Sequence, residues 1–456
     1  IVGAHVTLES GTGCVHTAPG HGIEDFVVCK NYPEIPIIVP VDAKGRLTEE
    51  AGMFAGLTTE EANKPIALHL EKIGALFALK KIEHQYPHCW RCHKPVIFRA
   101  TSQWFCSVDD FKDDAVKAAE DVKWFPEWGK DRLQSMVKER ADWCISRQRK
   151  WGVPIPVVYC QDCGKEIIDN DIMMKVSKIF GEEGSDAWFA HDTEYFLPEG
   201  FKCPHCGSAK GFDKEKDIMD VWFDSGSSHA AVCARRKYLK VPADVYLEGA
   251  DQYRGWFQSS LLTSVADGHG APYKQIITHG WTVDGEGKKM SKSLGNGIAP
   301  QEIISKYGAD ILRLWVASAD YHADIRISPE ILKQISDNYR KLRNTARYCL
   351  SNLYDFDPDK DMVSNDELEE LDKYALMKLD EVIKIARDAF EVYDYHTAAH
   401  SLHNFCVVEM SNFYFDVLKD RLYTSAPQSK TRRAAQTVLY KVLDALTLVL
   451  TPILAF

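Results

Sequence analysis

Residues 288–296 read Lys-Lys-Met-Ser-Lys-Ser-Leu-Gly-Asn, the most informative stretch of the chain. Two lysines three positions apart, Lys289 and Lys292, stand beside Ser291 and Ser293, and glycines flank the stretch on both sides. Glycine lets a loop turn tightly and bring its backbone close to a ligand. Ammonium and hydroxyl groups on such a loop suit the polyphosphate of a nucleotide, whose negative charge must be held while a bond breaks. A solvated basic turn is the alternative for a short lysine–serine run taken alone.

The residues before this loop predict a strand–helix–strand unit. Residues 245–247 predict a strand that runs into Glu248 and Gly249, residues 252–266 predict a helix, and residues 275–278 predict the next strand. Parallel strands joined by a helix bind their ligands at the carboxyl ends of the strands. The sequence therefore predicts a binding site where these two strands end.

The segment 248–257 adds side chains that suit a small polar substrate. Glu248 and Asp251 can accept hydrogen bonds from an α-ammonium group or from ribose hydroxyls, and Gln252 can both donate and accept. Trp256 can form the wall of an apolar side-chain pocket. The alternative is an ordinary helix N-terminus, where acidic side chains complement the helix dipole. The lysine loop that follows favours the substrate site.

Six of the 13 cysteines fall in Cys-x-x-Cys pairs. Two of these pairs, Cys160 with Cys163 and Cys203 with Cys206, are each followed by a glycine. Together they supply the four soft ligands of a tetrahedral structural zinc site, with a redox pair or a disulfide as the alternative. The cysteines outside such pairs are scattered, which is typical of small buried residues in a reducing compartment.

The third pair, Cys89 and Cys92, has no partner pair in the sequence. It either completes a zinc site with cysteines that lie outside this sequence or binds no metal. His88 and His93 are alternative ligands, but neighbouring histidines rarely reach tetrahedral geometry together with both flanking thiolates. We favour a half-site whose partner cysteines belong to a segment on the N-terminal side.

The chain has 456 residues, a formal net charge of −11 and 45% hydrophobic residues, which predicts roughly three domains with ample buried cores. The acidic balance argues against indiscriminate nucleic-acid binding. Basic residues nevertheless cluster at 130–150 and 333–347, where they can hold a phosphate backbone. No apolar run reaches the roughly 18 residues of a membrane span. Because the chain begins with Ile1 and ends inside an apolar run, we expect it to be an internal fragment.

The sequence Lys-Met-Ser-Lys-Ser at 289–293 resembles the signature loop of class I aminoacyl-tRNA synthetases, and it follows the predicted strand at the distance that this family uses. Within the family, the chain resembles the isoleucine-specific members more than their valine and leucine relatives. The strings that carry this resemblance run in the family's order: Trp-Cys-Ile-Ser-Arg-Gln-Arg at 143–149, Trp-Gly-Val-Pro-Ile-Pro at 151–156, Asp-Val-Trp-Phe-Asp-Ser-Gly at 220–226, Glu-Gly-Ala-Asp-Gln-Tyr-Arg-Gly-Trp-Phe at 248–257 and Thr-His-Gly-Trp-Thr-Val-Asp-Gly at 278–285.

This resemblance implies an aminoacyl-adenylate site lined by Glu248, Gly249, Asp251, Gln252, Trp256 and His279. In it Glu248 contacts the isoleucyl-adenylate, Trp256 bounds the side-chain pocket and His279 lies near the nucleotide. The resemblance also implies catalytic binding of ATP phosphate by Lys292 with Lys289 assisting, and ATP contacts from the loop serines Ser291 and Ser293. The family's other nucleotide signature, a His-x-Gly-His loop, is absent from the sequence. The resemblance therefore implies half of an activation site.

The N-terminal region carries a separate motif, Gly-Thr-Gly-Cys-Val-His-Thr-Ala-Pro-Gly-His-Gly at 11–22. Taken alone, this glycine-rich turn predicts only a loop. It resembles the carboxyl-terminal part of the family's editing domain, which hydrolyses valyl-tRNA formed in error. That match implies that Asp25 anchors the substrate α-ammonium group and that His16 lies beside the terminal ribose. One methylene contributes only about 1–3 kcal/mol of discrimination, so binding alone cannot separate isoleucine from valine, a limit for which this family is the usual example.

The resemblance implies an α/β protein: the C-terminal part of a Rossmann-type synthetase core with an inserted α+β editing-domain remnant, a zinc-bearing insertion and a C-terminal helix bundle. A strand-like run at 35–41 and a helical segment at 62–72 suit the α+β region. The predicted regions are the editing part at 1–83, a connecting region with the zinc knuckles at 84–240, the second Rossmann half at 241–298, a helical stem-contact region at 299–345 and an anticodon-binding bundle at 346–456.

The implied function is that of an isoleucine–tRNA ligase, which activates L-isoleucine with ATP, transfers it to tRNA(Ile) and hydrolyses mischarged valyl-tRNA. The resemblance further implies Mg²⁺ on the phosphates, Zn²⁺ in the insertion, a monomeric state, a cytoplasmic location and no membrane partner. Two alternatives stay open. One is a valine- or leucine-specific ligase, which the residue facing Trp256 would decide, and the other is a non-catalytic, zinc-stabilised tRNA-binding protein.

Overall fold

A computed structural model of the protein describes residues 1–7, 9, 12–90, 92–291 and 294–456. These residues form two compact units, Ile1–Trp104 and Phe105–Phe456. No helix within these ranges combines the length and the apolar character needed to cross a membrane.

The smaller unit contains helices α1 (Ile23–Cys29) and α2 (Thr59–Lys72), with a 3-10 turn at Glu49–Phe54 between them. Helix α2 begins with a capping box, in which the Thr58 hydroxyl accepts from the Glu61 N–H and the Glu61 carboxylate accepts from the Thr58 N–H. The helix predicted at 62–72 is confirmed, and the cap explains its earlier start.

The strand predicted at 35–41 is wrong. Among the described residues, this run makes one isolated bridge, between Val41 and Leu47, and no ladder. Pro36 and Pro40 lack the N–H group that a central strand must donate, so an apolar run that contains both of them stays an extended loop.

The strands of the larger unit are short: β1 Phe105–Cys106, β2 Lys123–Phe125, β3 Trp143–Cys144, β4 Ser146–Arg147, β5 Val158–Cys160, β6 Glu166–Ile167, β7 Phe212–Lys214, β8 Ile218–Met219, β9 Tyr246–Gly249, β10 Gln275–His279, β11 Thr282–Val283 and β12 Ile325–Arg326. In the described part of the chain, β2, β10 and β9 form a three-stranded parallel sheet in that order. Antiparallel pairs join β1 to β3, β4 to β8, and β5 to both β6 and β7, whereas β11 and β12 are parallel. The strands predicted at 245–247 and 275–278 are confirmed as β9 and β10.

The α-helices of the larger unit are α3 Lys112–Ala118, α4 Trp128–Lys138, α5 Asn170–Glu183, α6 Ala187–Ala190, α7 Thr193–Phe196, α8 Val221–Gly226, α9 Trp256–Ala266, α10 Pro300–Tyr307, α11 Ala309–Ser318, α12 Pro329–Asn352, α13 Pro358–Asp361, α14 Glu370–Glu391, α15 Tyr395–Asn404, α16 Phe415–Val417, α17 Lys419–Tyr423 and α18 Lys430–Leu450. Short 3-10 turns lie at Ala119–Asp121, Ala250–Arg254 and Asn365–Glu367, and π-helical segments at His229–Cys233 and Phe405–Tyr414. Helix α9 connects β9 to β10, which completes the predicted βαβ unit. The helix predicted at 252–266 is divided at Gly255, whose backbone (φ −129°, ψ −121°) is not helical.

Buried apolar side chains of the larger unit form separate clusters. One joins the parallel sheet to α4 and α9 through Trp124, Leu133, Phe257 and Ile276. A second holds β5–β7 together with α5–α7, and a third fills the helices from α10 to α18. Because burying one such side chain contributes about 1.5–3 kcal/mol, each cluster can hold its own part of the unit together.

The C-terminal part of the larger unit is helical, as the resemblance implies. Helix α14 packs against both α15 and α18, and its first turn carries a buried ionic group, the Asp372 carboxylate. Arg421 donates to both oxygens of Asp372 at 2.8 Å, and the Tyr414 hydroxyl donates at 2.6 Å. Because this carboxylate is fully paired, it fixes the helix arrangement without leaving an uncompensated charge.

The five-region division stays a prediction. The structure divides the chain after Trp104 rather than at 83, and it places β2 in the same sheet as β9 and β10 although the sequence assigns residues 123–125 to the connecting region.

Candidate functional site

The carboxyl ends of β9 and β10 lie side by side. Glu248 pairs with Thr278 and Gly249 with His279 in the parallel register. A Cβ atom built on Gly249 would lie 2.8 Å from Asp251 Oδ1 and 3.5 Å from His279 Cε1. The structure therefore brings predicted site residues together at the edge where a βαβ unit binds its ligands.

Gln252 has a structural role in addition to its predicted one. Its side-chain carbonyl accepts from the Trp256 N–H at 2.9 Å, and its amide group donates to Asp251 Oδ2 at 3.0 Å. The first contact caps α9, since an unpaired N–H at a helix start needs an acceptor. Gln252 thus orients Asp251, whose side chain is exposed, toward the strand ends.

Trp256 is held by stacking and by two hydrogen bonds. Its ring lies 3.8 Å from the ring of buried Tyr246 at an interplanar angle of 10°. The indole N–H donates to the Ser225 carbonyl at 3.0 Å and to the Ser228 hydroxyl at 3.1 Å. A rigid aromatic wall is the element that an apolar substrate pocket requires.

Trp222 is a further aromatic residue of this region that the residue-level predictions missed. A Cβ atom on Gly255 would lie 2.9 Å from its ring, so glycine allows the two to approach. Trp222 and Gly255 also line a cavity of about 530 Å³, together with Arg254 and Gln258. The string at 220–226 already carries the family resemblance. Its residue types do not show, however, that Trp222 rather than a neighbouring residue lies near Gly255.

The segment after β10 forms a turn built on Asp284. Asp284 Oδ1 accepts from the N–H groups of Glu286 at 3.0 Å and Lys288 at 2.8 Å, and Oδ2 accepts from the Asn296 amide at 2.8 Å. The hydrogen bond from Asn296 is the largest cause that lowers the pKa of Asp284. The carboxylate therefore stays ionised and remains an acceptor for the N–H groups of the turn. Asn296 also accepts from the Ser291 N–H at 2.9 Å, which ties the two ends of the lysine loop together.

The described residues of the lysine loop lie next to the turn. Lys289 pairs with Val283 in a bridge, and its ammonium nitrogen lies 5.2 Å from the centroid of the Trp281 ring. Ser291 accepts from the Leu294 N–H at 3.3 Å through its hydroxyl. His279 Nδ1 lies 2.8 Å from the Gly280 carbonyl. Lys292 and Ser293, the other two predicted ATP contacts, lie outside the described residues.

The four cysteines predicted to bind zinc come together. The sulfurs of Cys160, Cys163, Cys203 and Cys206 lie within 4.8 Å of one another, with Cys160–Cys206 at 3.6 Å and Cys163–Cys203 at 3.8 Å. Tetrahedral Zn–S bonds of about 2.3 Å place sulfurs about 3.8 Å apart, so the donor set fits zinc. Burial opposes ionisation of Cys203, but hydrogen bonds from the N–H groups of Cys206 and His205, together with those of the Cys206 and Cys160 thiols, outweigh it and lower the pKa of Cys203 to about 6.

Each of these two pairs lies on the same backbone turn. In the first, the Cys160 N–H donates to the Lys165 carbonyl and the Gly164 N–H to the Cys160 carbonyl. In the second, the corresponding bonds run from Cys203 to Ser208 and from Gly207 to Cys203. Gly164 and Gly207 have φ values of 69° and 75°, a conformation that glycine adopts without strain.

The pair Cys89 and Cys92, in the smaller unit, forms the same turn without a second pair. The Cys89 N–H donates to the Lys94 carbonyl and the His93 N–H to the Cys89 carbonyl, both at 2.8 Å. His93 occupies the glycine position with φ 57°. Within the described residues, no other metal-ligating side chains form a cluster with this pair.

The predicted editing residues also lie in the smaller unit. Asp25 is in the first turn of α1, and its Oδ2 accepts from the Ala18 N–H at 2.9 Å, which ties the helix to the glycine-rich loop. The other oxygen lies 3.8 Å from His5 Nε2. His16 is exposed on the same loop. The structure thus brings Asp25 against the loop that carries His16 and adds His5, which the sequence gave no reason to select.

Comparisons with known families and proteins identify the family of the chain. Residues 27–328 match the tRNA synthetases class I (I, L, M and V), and residues 372–456 match the anticodon-binding domain of tRNA ligases. The isoleucine–tRNA ligase of Caldicellulosiruptor bescii is 61% identical over 456 residues, all of this chain and 49% of that protein. The isoleucine–tRNA ligase of Caldanaerobacter subterraneus subsp. tengcongensis is 58% identical with the same coverage.

The chain therefore spans about half the length of the curated relatives it matches. Among solved structures, Mycobacterium tuberculosis methionyl-tRNA synthetase in complex with methionyl-adenylate has a TM-score of 0.57 at 18% identity, covering 81% of this chain and 64% of that one. That similarity concerns the fold alone. With a family match over residues 27–328, the chain belongs to the tRNA synthetases of class I that comprise the isoleucine, leucine, methionine and valine enzymes.

Proposed function

We propose that the chain supplies the second half of the activation site in an isoleucine–tRNA ligase. In that reaction the isoleucine carboxylate attacks the α-phosphorus of ATP and releases pyrophosphate, and a ribose hydroxyl of the terminal tRNA adenosine then takes the acyl group and releases AMP. The observation that carries the proposal is the shared edge of β9 and β10, where Glu248, Asp251 and His279 stand beside the turn that leads into the lysine loop.

The edge suits an aminoacyl-adenylate because it combines two kinds of surface. Exposed Glu248 and Asp251 are acceptors for the ammonium group or ribose hydroxyls, with Gly249 leaving space between them and Gln252 holding Asp251. Trp256 provides an apolar wall for the side chain, and Trp222 is placed to provide a second one.

We assign phosphate binding to the lysine loop, with Lys292 as the main charge, Lys289 assisting and Ser291 and Ser293 as hydrogen-bond donors. Lys289 lies over Trp281 rather than in an ion pair, so its charge is not neutralised by a carboxylate within the described residues. Mg²⁺ would arrive on the phosphates of ATP and neutralise part of their charge. Catalysis would be mainly positioning and charge stabilisation.

The test is isoleucine-dependent ATP–pyrophosphate exchange in a protein that joins this chain to the remaining length of its curated relatives. Lys292→Ala should lower kcat by about 100-fold or more and change the KM for isoleucine little, since the lysine acts on charge that develops on phosphate. Lys288→Ala is the matched control, because Lys288 is paired with Glu286 at 2.7 Å. Equal losses in the two variants would remove the assigned role, and exchange driven by valine or leucine alone would favour a ligase of that specificity.

We propose tRNA(Ile) as the macromolecular partner, with residues 299–345 contacting the stem and residues 346–456 the anticodon. A stripe of exposed basic residues supports this: Lys333, Arg340, Arg343 and Arg347 follow one face of α12. Among the described residues only Arg340 of this stripe has an acidic partner, Asp337, so the remaining charges are available for phosphates. A non-catalytic tRNA-binding protein would keep this stripe but fail the exchange assay.

We propose that the paired cysteines hold one structural Zn²⁺ in the connecting region, and that Cys89 and Cys92 bind metal weakly or not at all in this chain. The bound ion would cross-link β5 and the loop before β7 through Cys160, Cys163, Cys203 and Cys206. A monomeric, cytoplasmic enzyme without a membrane partner completes the proposal.

A second proposed activity is hydrolysis of valyl-tRNA at residues 1–83, supported by the carboxylate of Asp25 at the glycine-rich loop. In the same extended protein, Asp25→Ala should abolish deacylation of valyl-tRNA and leave isoleucine-dependent exchange nearly unchanged, because a carboxylate can anchor the substrate ammonium group. Asp25 also fixes the loop, so His5→Ala serves as the control that disturbs the neighbourhood and spares the anchor. Normal deacylation by Asp25→Ala would show that Asp25 is structural. The position of His16 beside the terminal ribose is the other part of this proposal.

A further inference from the structure

The corner between helices α14 and α15 contacts the parallel sheet. Tyr393 lies at this corner, and its ring packs edge-on against the Phe125 ring at 5.0 Å, at the end of β2. Its hydroxyl donates to the Gln275 side chain at 3.3 Å, at the start of β10. One residue of the helical region therefore touches two neighbouring strands of the sheet.

Tyr393 holds an unusual backbone conformation. Its φ is 60°, in a region that bulky residues rarely adopt. Conformations of this kind persist where the surroundings determine them, and they concentrate at functional places. Here the conformation turns the Tyr393 carbonyl toward the Tyr321 hydroxyl, which donates to it at 3.0 Å. Burial raises the pKa of Tyr321 to about 12, so that hydroxyl keeps its proton and remains a donor.

Tyr321 continues the connection to the segment that follows β10. Its carbonyl accepts from the Gly280 N–H at 2.8 Å, and the Trp281 N–H donates to Asp324 at 2.7 Å. A side chain on Gly280 would overlap the Ala323 carbonyl, so only glycine allows the two segments to lie this close. The parallel pair β11–β12 begins directly after these contacts.

The same segment carries the lysine loop. Trp281 lies under the Lys289 ammonium group, and Val283 pairs with Lys289. A continuous path of contacts therefore runs from Tyr393 through Tyr321 and Gly280 to Lys289.

We propose that Tyr393 and Tyr321 are positioning residues that couple the helical C-terminal region to the lysine loop. The corner of α14 and α15 fixes Tyr321, Tyr321 fixes Gly280, and the β11 turn then holds the loop at the edge of the sheet. Their assigned role acts through the contacts with Gly280 and the β11 turn, not through a contact with a nucleotide. An RNA that moves the α14–α15 corner would thereby move Lys289. The catalytic meaning of this coupling rests on the proposed function, whereas the coupling itself does not.

Hydrogen exchange of the 456-residue chain, read by mass spectrometry in peptides covering residues 280–291, tests the coupling. Tyr321→Phe removes one hydroxyl and keeps the ring. We expect exchange of these amides to become about fivefold faster, the change that one hydrogen bond of ordinary strength makes in a local opening equilibrium. Tyr348→Phe is the matched control, because its hydroxyl donates to the Phe415 carbonyl at 3.1 Å inside the helical region. It should leave residues 280–291 unchanged.

Tyr393→Gly is the second variant, since glycine relieves the backbone strain while it removes the contacts with Phe125 and Gln275. Tyr393→Gly should accelerate hydrogen exchange in the peptides covering residues 280–291. This acceleration should be larger than any fall in the thermal unfolding midpoint of the chain would explain. Exchange in 280–291 that is unchanged in both variants, or raised equally by Tyr348→Phe, would overturn the proposal.

In the extended protein, Tyr321→Phe should lower kcat for isoleucine-dependent exchange about fivefold with an unchanged KM, since a positioning residue acts on the loop and not on the amino acid. If kcat were unchanged while hydrogen exchange became faster, the coupling would stand, but its proposed effect on catalysis would be overturned. If the unmutated extended protein showed no isoleucine-dependent ATP–pyrophosphate exchange, the proposed function would be contradicted. The hydrogen-exchange result would still test the coupling by itself.

Discussion

The three Cys-x-x-Cys turns of the molecule have the same backbone and different surroundings. At Cys160, Cys203 and Cys89, the first cysteine donates its N–H to the carbonyl five residues later and accepts from the N–H four residues later. Two of the turns face each other with four sulfurs within 4.8 Å. The third lies in the smaller unit and belongs to no such group of metal-ligating side chains among the described residues. The turn is therefore a property of the local sequence, whereas the four-sulfur cluster is a property of the tertiary fold.

The burial of the first cysteine of each turn follows the same division, since Cys89 is only half-buried. Cys160 and Cys203 are buried, at 1% and 2% exposure, and lie in a cluster with Val158, Ile172 and Phe212. Near the single turn, Trp90 is 80% exposed. A hydrophobic cluster can hold two turns in register before the metal binds, and the lone turn has no such support within the described residues.

The largest expected effect is on zinc content. Cys203→Ser removes one of the four ligands of the proposed zinc site. The purified chain should therefore fall from about one zinc per molecule to nearly none, and the β5–β7 module should lose its cooperative unfolding. Elemental analysis and calorimetry measure the two changes. Cys92→Ser is the matched variant on the single turn and should leave the zinc content at its starting value. Full zinc content in Cys203→Ser would remove the paired cysteines from the site, and a loss in Cys92→Ser would show that the third turn contributes.

A smaller effect should follow from the glycine of a paired turn. Gly207 has a φ of 75°, and no atom lies within 4 Å of a Cβ built on it, so Gly207→Ala tests backbone strain alone. We expect a loss of about 1–2 kcal/mol in the unfolding free energy of the zinc-loaded module, measured by denaturant titration. The control is Gly181→Ala in α5, where space is also open and the backbone is helical, and where alanine should stabilise by about 0.5–1 kcal/mol. Equal effects at the two glycines would mean that the turn conformation does not limit the site.

The same reasoning explains which features could be predicted from the sequence. The cysteine turns and the βαβ unit were predictable because residue type and spacing determine them: glycine after the second cysteine, apolar runs at 245–247 and 275–278, and lysines between glycines. The capping box that starts α2 is local as well, since Thr58 and Glu61 are three residues apart.

Features that depend on distant residues were not predictable. Asn296 ties the lysine loop to Asp284, which lies twelve positions earlier, and the Tyr321–Gly280 contact spans 41 positions. These residue types are common, so the sequence does not show which of them contact each other. Gln252 was assigned to substrate, although its side-chain carbonyl also accepts from the Trp256 N–H and caps α9. A sequence does not show which donor such an acceptor serves. The strand prediction for residues 35–41 was wrong for a local reason. It relied on the apolar residues and neglected Pro36 and Pro40, which cannot donate a backbone hydrogen bond.

The smallest expected effect concerns His93, which occupies the glycine position of the single turn with φ 57°. His93→Gly should slow the exchange of the Cys89 and His93 amides by about two- to fivefold, because glycine adopts this conformation without the strain that a side chain brings. His93→Ala is the control, since alanine keeps a Cβ and therefore keeps the strain, and its exchange should stay close to that of the unmodified chain. Slowing by both variants would trace the effect to the imidazole instead of the backbone. Neither change should recruit zinc, because a relaxed turn still offers only two sulfurs. Zinc bound to the His93→Gly chain beyond the amount held by the paired cysteines would show that turn geometry, and not the missing second pair, keeps this turn metal-free.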